Sequence, residues 1–215
     1  MTQTPGQPGA AVRAFRARMG LTLAEVSQRT NLAVSVLSKI ENNRVSLNFD
    51  KLSRLSSGLG LDIASLLDPR PADKPAGAAT ARRSVTRSND ETVIETNNYN
   101  HFYHATDLRN KSFTPIVADV RARSIAEFGE LISHPGEEFA YVLDGVVELH
   151  TDVYTPVVLR RGDSVFFDSG MGHAYIAAAP GPCRILSISA SPGQGRAAGL
   201  AASASYRLEA EPVPA

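Results

Sequence analysis

Between Leu21 and Asn43 the chain reads LTLAEVSQRTNLAVSVLSKIENN, with polar side chains set among apolar ones at helical spacing. Ser35, Ser38 and Lys39 fall on one face of a short helix, while Val36, Leu37 and Ile40 fall on the other. Hydroxyl and ammonium groups on a helix surface built of small residues can donate hydrogen bonds to base edges or phosphates. A second set of reactive side chains lies in two glycine-bounded stretches, GELISHPGEEFAYVLDG (129–145) and GDSVFFDSGMGH (162–173). These hold histidines and carboxylates, but no nucleophile–base–orienter set can be traced through them.

The elements that must position the first set are legible. Thr22 followed by Glu25 is a capping box for a helix over 23–30, with Leu23, Val26 and Ser27 facing inward. Asn31 tolerates the left-handed conformation a tight turn needs. A second helix follows over about 33–41. Two short helices in this arrangement can lay the second one in a major groove. Apolar spacing is helical throughout 10–67, beginning with a stripe of Val12, Phe15 and Met19.

Beyond this region the texture changes. Residues 69–92, rich in Pro, Ala, Arg and Ser, read as a linker. Short β-branched and aromatic runs then alternate with Gly, Pro and Asp turns, predicting strands at 115–120, 138–143, 146–150, 157–159, 164–167, 174–177 and 184–188. Many short, evenly spaced strands indicate a sandwich or barrel. The expected organisation is a helical domain over 10–68, the linker, a β domain over 93–190 and a tail over 191–215. Residues 206–208 could return as an edge strand. The fold class is thus multidomain, all-α followed by all-β.

Charge divides in the same way. The chain carries 22 basic and 22 acidic residues, yet residues 1–92 hold 13 against 8 and residues 93–215 hold 9 against 14. A basic first half suggests that this half meets a polyanion. The single cysteine, Cys183, excludes an intramolecular disulfide and reads as buried filler. The first residues lack a signal-peptide pattern, and no apolar run reaches the length of a membrane span. A cytoplasmic protein is expected, with no membrane partner.

The stretch over 10–67 resembles the lambda-repressor-like, or XRE, helix-turn-helix family. Its Leu-Thr-Leu start, the Leu37-Ser38-Lys39-Ile40-Glu41 core, the Asn42-Asn43 turn and the leucines at 52, 55, 59 and 61 carry the resemblance; Asn31 replaces the family's turn glycine. The resemblance implies base-edge contacts from Val34, Ser35, Val36 and Lys39, and phosphate contacts from Thr22, Arg29 and Asn43. A helical protein-interaction module of the same shape is the alternative.

The stretch over 111–189 resembles the cupin superfamily, a double-stranded β-helix barrel. His134, Glu138 and Gly145 match the second His, the Glu and the closing Gly of the first cupin motif, and Ile132 occupies the first His position. Gly162, Gly170 and His173 match the second motif, with Asp168 and Ala177 replacing its Pro and Asn. The resemblance implies that His134, Glu138 and His173 gather at the barrel mouth, where two imidazoles and a carboxylate form a facial triad for a divalent metal. The missing ligand favours a metal-free pocket in which the same groups hydrogen bond to one another.

Strand alternation adds Ala140 and Val142 beside Glu138, and Tyr175 beside His173, as effector-binding residues. Arg121 could clamp a ligand carboxylate, as could Arg123. His101, His104 and His150 read as surface residues.

The order of modules matches that of the XRE–cupin regulators. The expected function is sequence-specific binding of double-stranded operator DNA as a homodimer, under the control of a small-molecule effector held in the cupin domain, with no catalytic residue. A metal-dependent cupin enzyme with an attached helix-turn-helix is the alternative.

Overall fold

The structure, a computed structural model, describes residues 8–45, 47–61, 63–67 and 82–191. Five helices come first: α1 Pro8–Arg18, α2 Leu23–Thr30, α3 Val34–Glu41, α4 Phe49–Leu59 and α5 Ile63–Leu67. The Thr22–Glu25 capping box forms as the sequence predicts. The Thr22 hydroxyl accepts from the Glu25 amide, and the Glu25 carboxylate accepts from the Thr22 amide. Asn31 ends α2 in the left-handed region at φ 53°.

Val12, Val26, Leu37, Ile40, Leu52 and Leu55 are each at most 1% exposed and form the helical core. Fully burying side chains of this size is worth roughly 1.5–3 kcal/mol each. Helix α4 crosses the end of α2 so closely that a Cβ on Gly58 would stand 2.4 Å from the Arg29 carbonyl oxygen. Arg16 on α1 clasps the end of α3 with two hydrogen bonds to the Glu41 carboxylate, at 2.6 and 2.9 Å. Met19, expected in the apolar stripe, lies past the end of α1 and is 51% exposed.

Among the described residues, nine strands and one short helix follow: β1 Thr92–Glu95, β2 Tyr99–Tyr103, β3 Thr114–Val120, α6 Ile125–Phe128, β4 Glu137–Asp144, β5 Val146–Thr151, β6 Val157–Arg160, β7 Ser164–Asp168, β8 His173–Ala177 and β9 Arg184–Ala190. A six-stranded sheet in the order β1-β2-β3-β9-β4-β7 faces a three-stranded sheet in the order β6-β5-β8, and every pairing is antiparallel. Residues that alternate inward along both sheets, among them Ala118, Val142, Val147, Leu149, Ala174 and Ile185, fill the space between. All seven strands predicted from the sequence are present, and β1 and β2 precede them.

The segment expected to be a loose linker is fastened over its described half, residues 82–91. Arg82 donates to the carbonyls of Arg109 and Asn110, Ser84 to Asp107, and the Thr86 hydroxyl accepts from the Ala105 amide. The expected edge strand at 206–208 lies outside the described residues.

The two modules touch. Tyr103 on β2 and Ile116 on β3 are buried in the same apolar cluster as the helical core. Ser53 on α4 and Ser191, just after β9, lie 3.2 Å apart, oxygen to oxygen.

Candidate functional site

Helix α3 buries Leu37 and Ile40 and turns Val34, Ser35 and Lys39 to solvent. This is the face expected to meet base edges, and among the described residues nothing in the helical module covers it. Val36 is half-buried and stands at its margin. Of the three residues expected at phosphates, Arg29 is exposed at the end of α2. Thr22 is exposed but already commits its hydroxyl to Glu25, donating to Oε2 at 2.8 Å as well as capping α2. The Asn43 side-chain oxygen accepts from the Gly9 amide at 3.2 Å, so that residue also ties α1 to the turn after α3.

The second site is a cavity in the barrel mouth. His134 sits in the loop before β4, and its amide donates to the Ser169 carbonyl at 2.9 Å. Gly136 lets this loop turn inward: at φ +118° it lies so close to the Ala190 carbonyl that a Cβ would stand 1.8 Å from the oxygen. His134 and Glu138 therefore both face the interior, across from His173 at the start of β8. One donor atom from each of the three lies within 4.8 Å of the others.

Glu138 is the hub. Its carboxylate meets His134 Nε2 at 3.1 Å, accepts from the Tyr175 hydroxyl at 2.8 Å and accepts from the Ser189 hydroxyl at 3.2 Å. Burial alone would raise its pKa. The His134 hydrogen bond, the His173 and His134 charges and the Tyr175 hydrogen bond outweigh burial and bring it down to about 2. Burial beside Glu138 pushes Tyr175 the other way, well above the usual tyrosine range, so it stays a neutral donor.

His173 Nδ1 donates to the Met171 carbonyl at 2.9 Å, which leaves Nε2 with its lone pair. Burial lowers the His173 pKa, opposed by the charge of Glu138. His134 Nδ1 is buried without a hydrogen-bond partner.

Two imidazoles and a carboxylate are the donors of a facial triad, and Tyr175 and Ser189 are placed to orient that carboxylate. The residues present therefore fit a divalent first-row metal. Ile132, in the place of a further histidine, pairs its backbone with His173 and lends its side chain to the cavity wall.

Several expectations about the cavity need correction. Ala140 and Val142 do face inward from β4 but belong to the packed core and do not line the cavity. Arg121 is exposed, donates to Asn100 Oδ1 at 3.1 Å and lines an open bowl with Arg123, Arg161 and Arg184, away from the histidines. It follows the last inward residue of β3, where the strand leaves the barrel.

His101, expected at the surface, is 8% exposed and lines the cavity, with Nδ1 buried and unpartnered. Its burial lowers its pKa to about 4. The Tyr99-His101-Tyr103 alternation of bulky inward residues on β2 was the available signal. His150 pairs with Glu148 at 2.9 Å. Cys183 is buried, and burial raises its thiol pKa to about 11, which suits filler rather than a redox switch.

One wall comes from the other module. Phe49, the first residue of α4, lines the cavity and sets its ring edge-on to His134, with centroids 4.7 Å apart at 81°. No local signal marked Phe49, since an apolar residue at a helix start reads as core of its own domain.

Comparison with known proteins matches this division. Residues 12–66 match a helix-turn-helix family model, and residues 126–189 match a cupin domain model. The chain is 25% identical over 181 residues to the HTH-type transcriptional regulator PuuR of Escherichia coli (strain K12), covering 84% of this chain and 92% of that protein. An HTH_3 family transcriptional regulator from Vibrio cholerae shares the fold, with a TM-score of 0.58 at 20% identity over 87% of this chain and 97% of the other. Hydroxypropylphosphonic acid epoxidase from S. wedmorenis superposes at a TM-score of 0.44 and 19% identity, covering 88% of this chain and all of that one, too distantly to bear on activity. The chain thus joins an XRE-type helix-turn-helix module to a C-terminal cupin domain, and along most of its length it is similar to an HTH-type transcriptional regulator.

Proposed function

We propose that this regulator reads double-stranded operator DNA with α3, through Val34, Ser35, Val36 and Lys39 at base edges and Arg29 at phosphates. Thr22 and Asn43 are the further phosphate contacts, while they also cap and brace the helices. The observation that carries this reading is the α3 surface itself: a helix anchored by Leu37 and Ile40 whose opposite face is small, polar and uncovered. Lys39 suits guanine and Ser35 suits either base type, while Val34 suits a thymine methyl.

The cupin cavity holds a small effector on His134, Glu138, His173 and Tyr175, with His101 added by the structure. Pairing two chains supplies the second DNA-reading head. The support for pairing is the outer face of the six-stranded sheet. Val93, Phe102, Val117, Leu186 and Tyr141 run across it in register, as do Pro115, Ile188, Phe139 and Phe166. Phe166 is 63% exposed, and its neighbours are partly exposed. An apolar stripe of this breadth marks an association surface. The protein works in the cytoplasm, where the DNA is.

Footprinting on DNA from upstream of the protein's own coding region tests the reading. Two protected half-sites about 10–10.5 base pairs apart are expected. Absence of protection at low ionic strength would overturn it.

The clustering of His134, Glu138 and His173 favours a second reading for the same cavity, a divalent metal held there. Such a metal would supply open coordination positions for a ligand's oxygen or nitrogen atoms. In that case Tyr175 and Ser189 hold the carboxylate, and the Met171 carbonyl fixes the His173 tautomer. Sensing remains the proposed role, with no catalytic residue assigned.

A further inference from the structure

The barrel mouth is closed by the DNA-binding module. Phe49 is 5% exposed and belongs to the buried apolar cluster that includes Leu52 and Leu55 of α4 together with Tyr103 and Ile116 of the barrel. Asp50, the next residue, is turned by its ion pair to Arg54 at 2.6 Å, and its charge reaches His173. The Ser53–Ser191 contact adds a polar fastening one turn along the helix.

With Phe49 seated, the cavity leaves about 30 Å³ of open space. That is room for a water molecule or a bare ion, whereas sites for small metabolites run to roughly 300–1,000 Å³. Of the other apolar walls, Tyr99, Ile116, Ala118, Ile185 and Tyr175 are at most 4% exposed and packed into the barrel, and half-buried Ile132 is tied to His173 by two backbone hydrogen bonds. Phe49 is the wall that can move as part of a separate module.

We propose that Phe49 is the gate of the effector site, so that entry of any ligand larger than an ion and docking of the DNA-binding module exclude each other. This rests on the reading of the barrel as an effector site. Helix α4 packs on α2, and α2 carries α3 across the Asn31 turn, so a displaced Phe49 takes the recognition helix with it. In a dimer, docked heads keep one fixed separation. Undocked heads lose that fixed separation, and the effective concentration of the second head at its half-site falls. The docked form is therefore the tight DNA-binding form, and the ligand releases DNA.

Two substitutions in the full chain imitate an occupied site. Phe49→Ala removes the gate. Ile132→Trp fills the mouth from the barrel side and leaves every residue of the helical module intact. Hydrogen exchange along α4, measured without DNA, reports docking directly. Both variants are expected to speed exchange in α4 while β4 and β9 stay protected, and to weaken binding to the upstream DNA by about tenfold or more. A disulfide across Ser53→Cys and Ser191→Cys, added to the Ile132→Trp chain, is expected to restore both on oxidation.

Unchanged α4 exchange in Ile132→Trp would overturn the gate, as would an undocked head that still binds DNA as tightly as the parent. If Phe49→Ala unfolds its module, Ile132→Trp decides. If no form of the protein binds DNA, the regulator reading fails, while α4 exchange still decides whether Phe49 gates the cavity.

Discussion

The Phe49 ring, carried by the helical module, stands edge-on to the His134 imidazole of the barrel with centroids 4.7 Å apart. A side chain of the DNA-reading half is thereby in van der Waals contact with a member of the polar site in the sensing half. The apolar cluster around Phe49 includes residues of both modules, so the two should unfold together. Calorimetry of the parent is expected to show one transition. Phe49→Ala should split it, the helical module melting first, because a truncation of this size in a core removes about 3–5 kcal/mol. A single transition retained in the variant would mean that the contact couples nothing.

Dimerisation through the outer sheet face predicts a charge-sensitive assembly. Phe166→Asp places a carboxylate in the most exposed part of the apolar stripe, beside Phe139 in register. Its position on an edge strand, with the side chain in solvent, makes the effect on monomer stability small, within about 0.5 kcal/mol. Light scattering should report a dimer for the parent and a monomer at the same concentration for the variant. A dimer in both would move the interface elsewhere.

Buried, neutral His101 predicts an acid-sensitive barrel. Its pKa falls from 6.5 to about 4 on folding, so between those values the unfolded chain binds the extra proton. Stability from this residue is fully present above pH 6.5, is lost as pH falls toward 4 and levels off below. The loss is on the order of 3 kcal/mol. His173, also lowered by burial, adds a contribution of the same sign. Glu138, brought down to about 2, acts in the more acidic window below 4.5. Denaturant midpoints at pH 7 and pH 5 should differ by less in His101→Gln than in the parent; equal differences would show that His101 carries no such load.

A metal in the triad predicts thermal stabilisation that depends on named donors. Protein purified without chelators or nickel columns, then given Mn(II) or Co(II), should gain several degrees in melting temperature. His173→Ala should abolish the gain, because it removes the imidazole whose Nε2 lone pair the Met171 carbonyl keeps available. An equal gain in His173→Ala would place the metal at another site.

Much of this architecture was legible because its signals are local. The Thr22–Glu25 box, the Asn31 turn and the strand alternation around Glu138 are each set by neighbours a few residues away. Phe49 and His101 were not legible in the same way. The partner of Phe49 lies in another module, and His101 takes its character from burial in the cavity wall and from Glu138 on a strand that is not its neighbour. Arg121 misled because its guanidinium suited a carboxylate clamp, whereas alternation with buried Val120 and Ala122 turns it out of the barrel. The fastening of residues 82–91 was hidden for a related reason. Pro-, Ser- and Arg-rich chain looks slack until the loop at 104–111 supplies its hydrogen-bond partners.

The most direct test of the account is the affinity of Lys39→Ala for the protein's own upstream DNA, measured by fluorescence anisotropy over a range of salt. Lys39 is exposed and away from the helical core, so the variant should keep the parent's melting temperature. Its affinity should fall by about 1–3 kcal/mol, with most of the lost discrimination at one base position in each half-site. Unaltered affinity and sequence preference in a fully folded Lys39→Ala protein would contradict the assignment of α3 as the DNA-reading element.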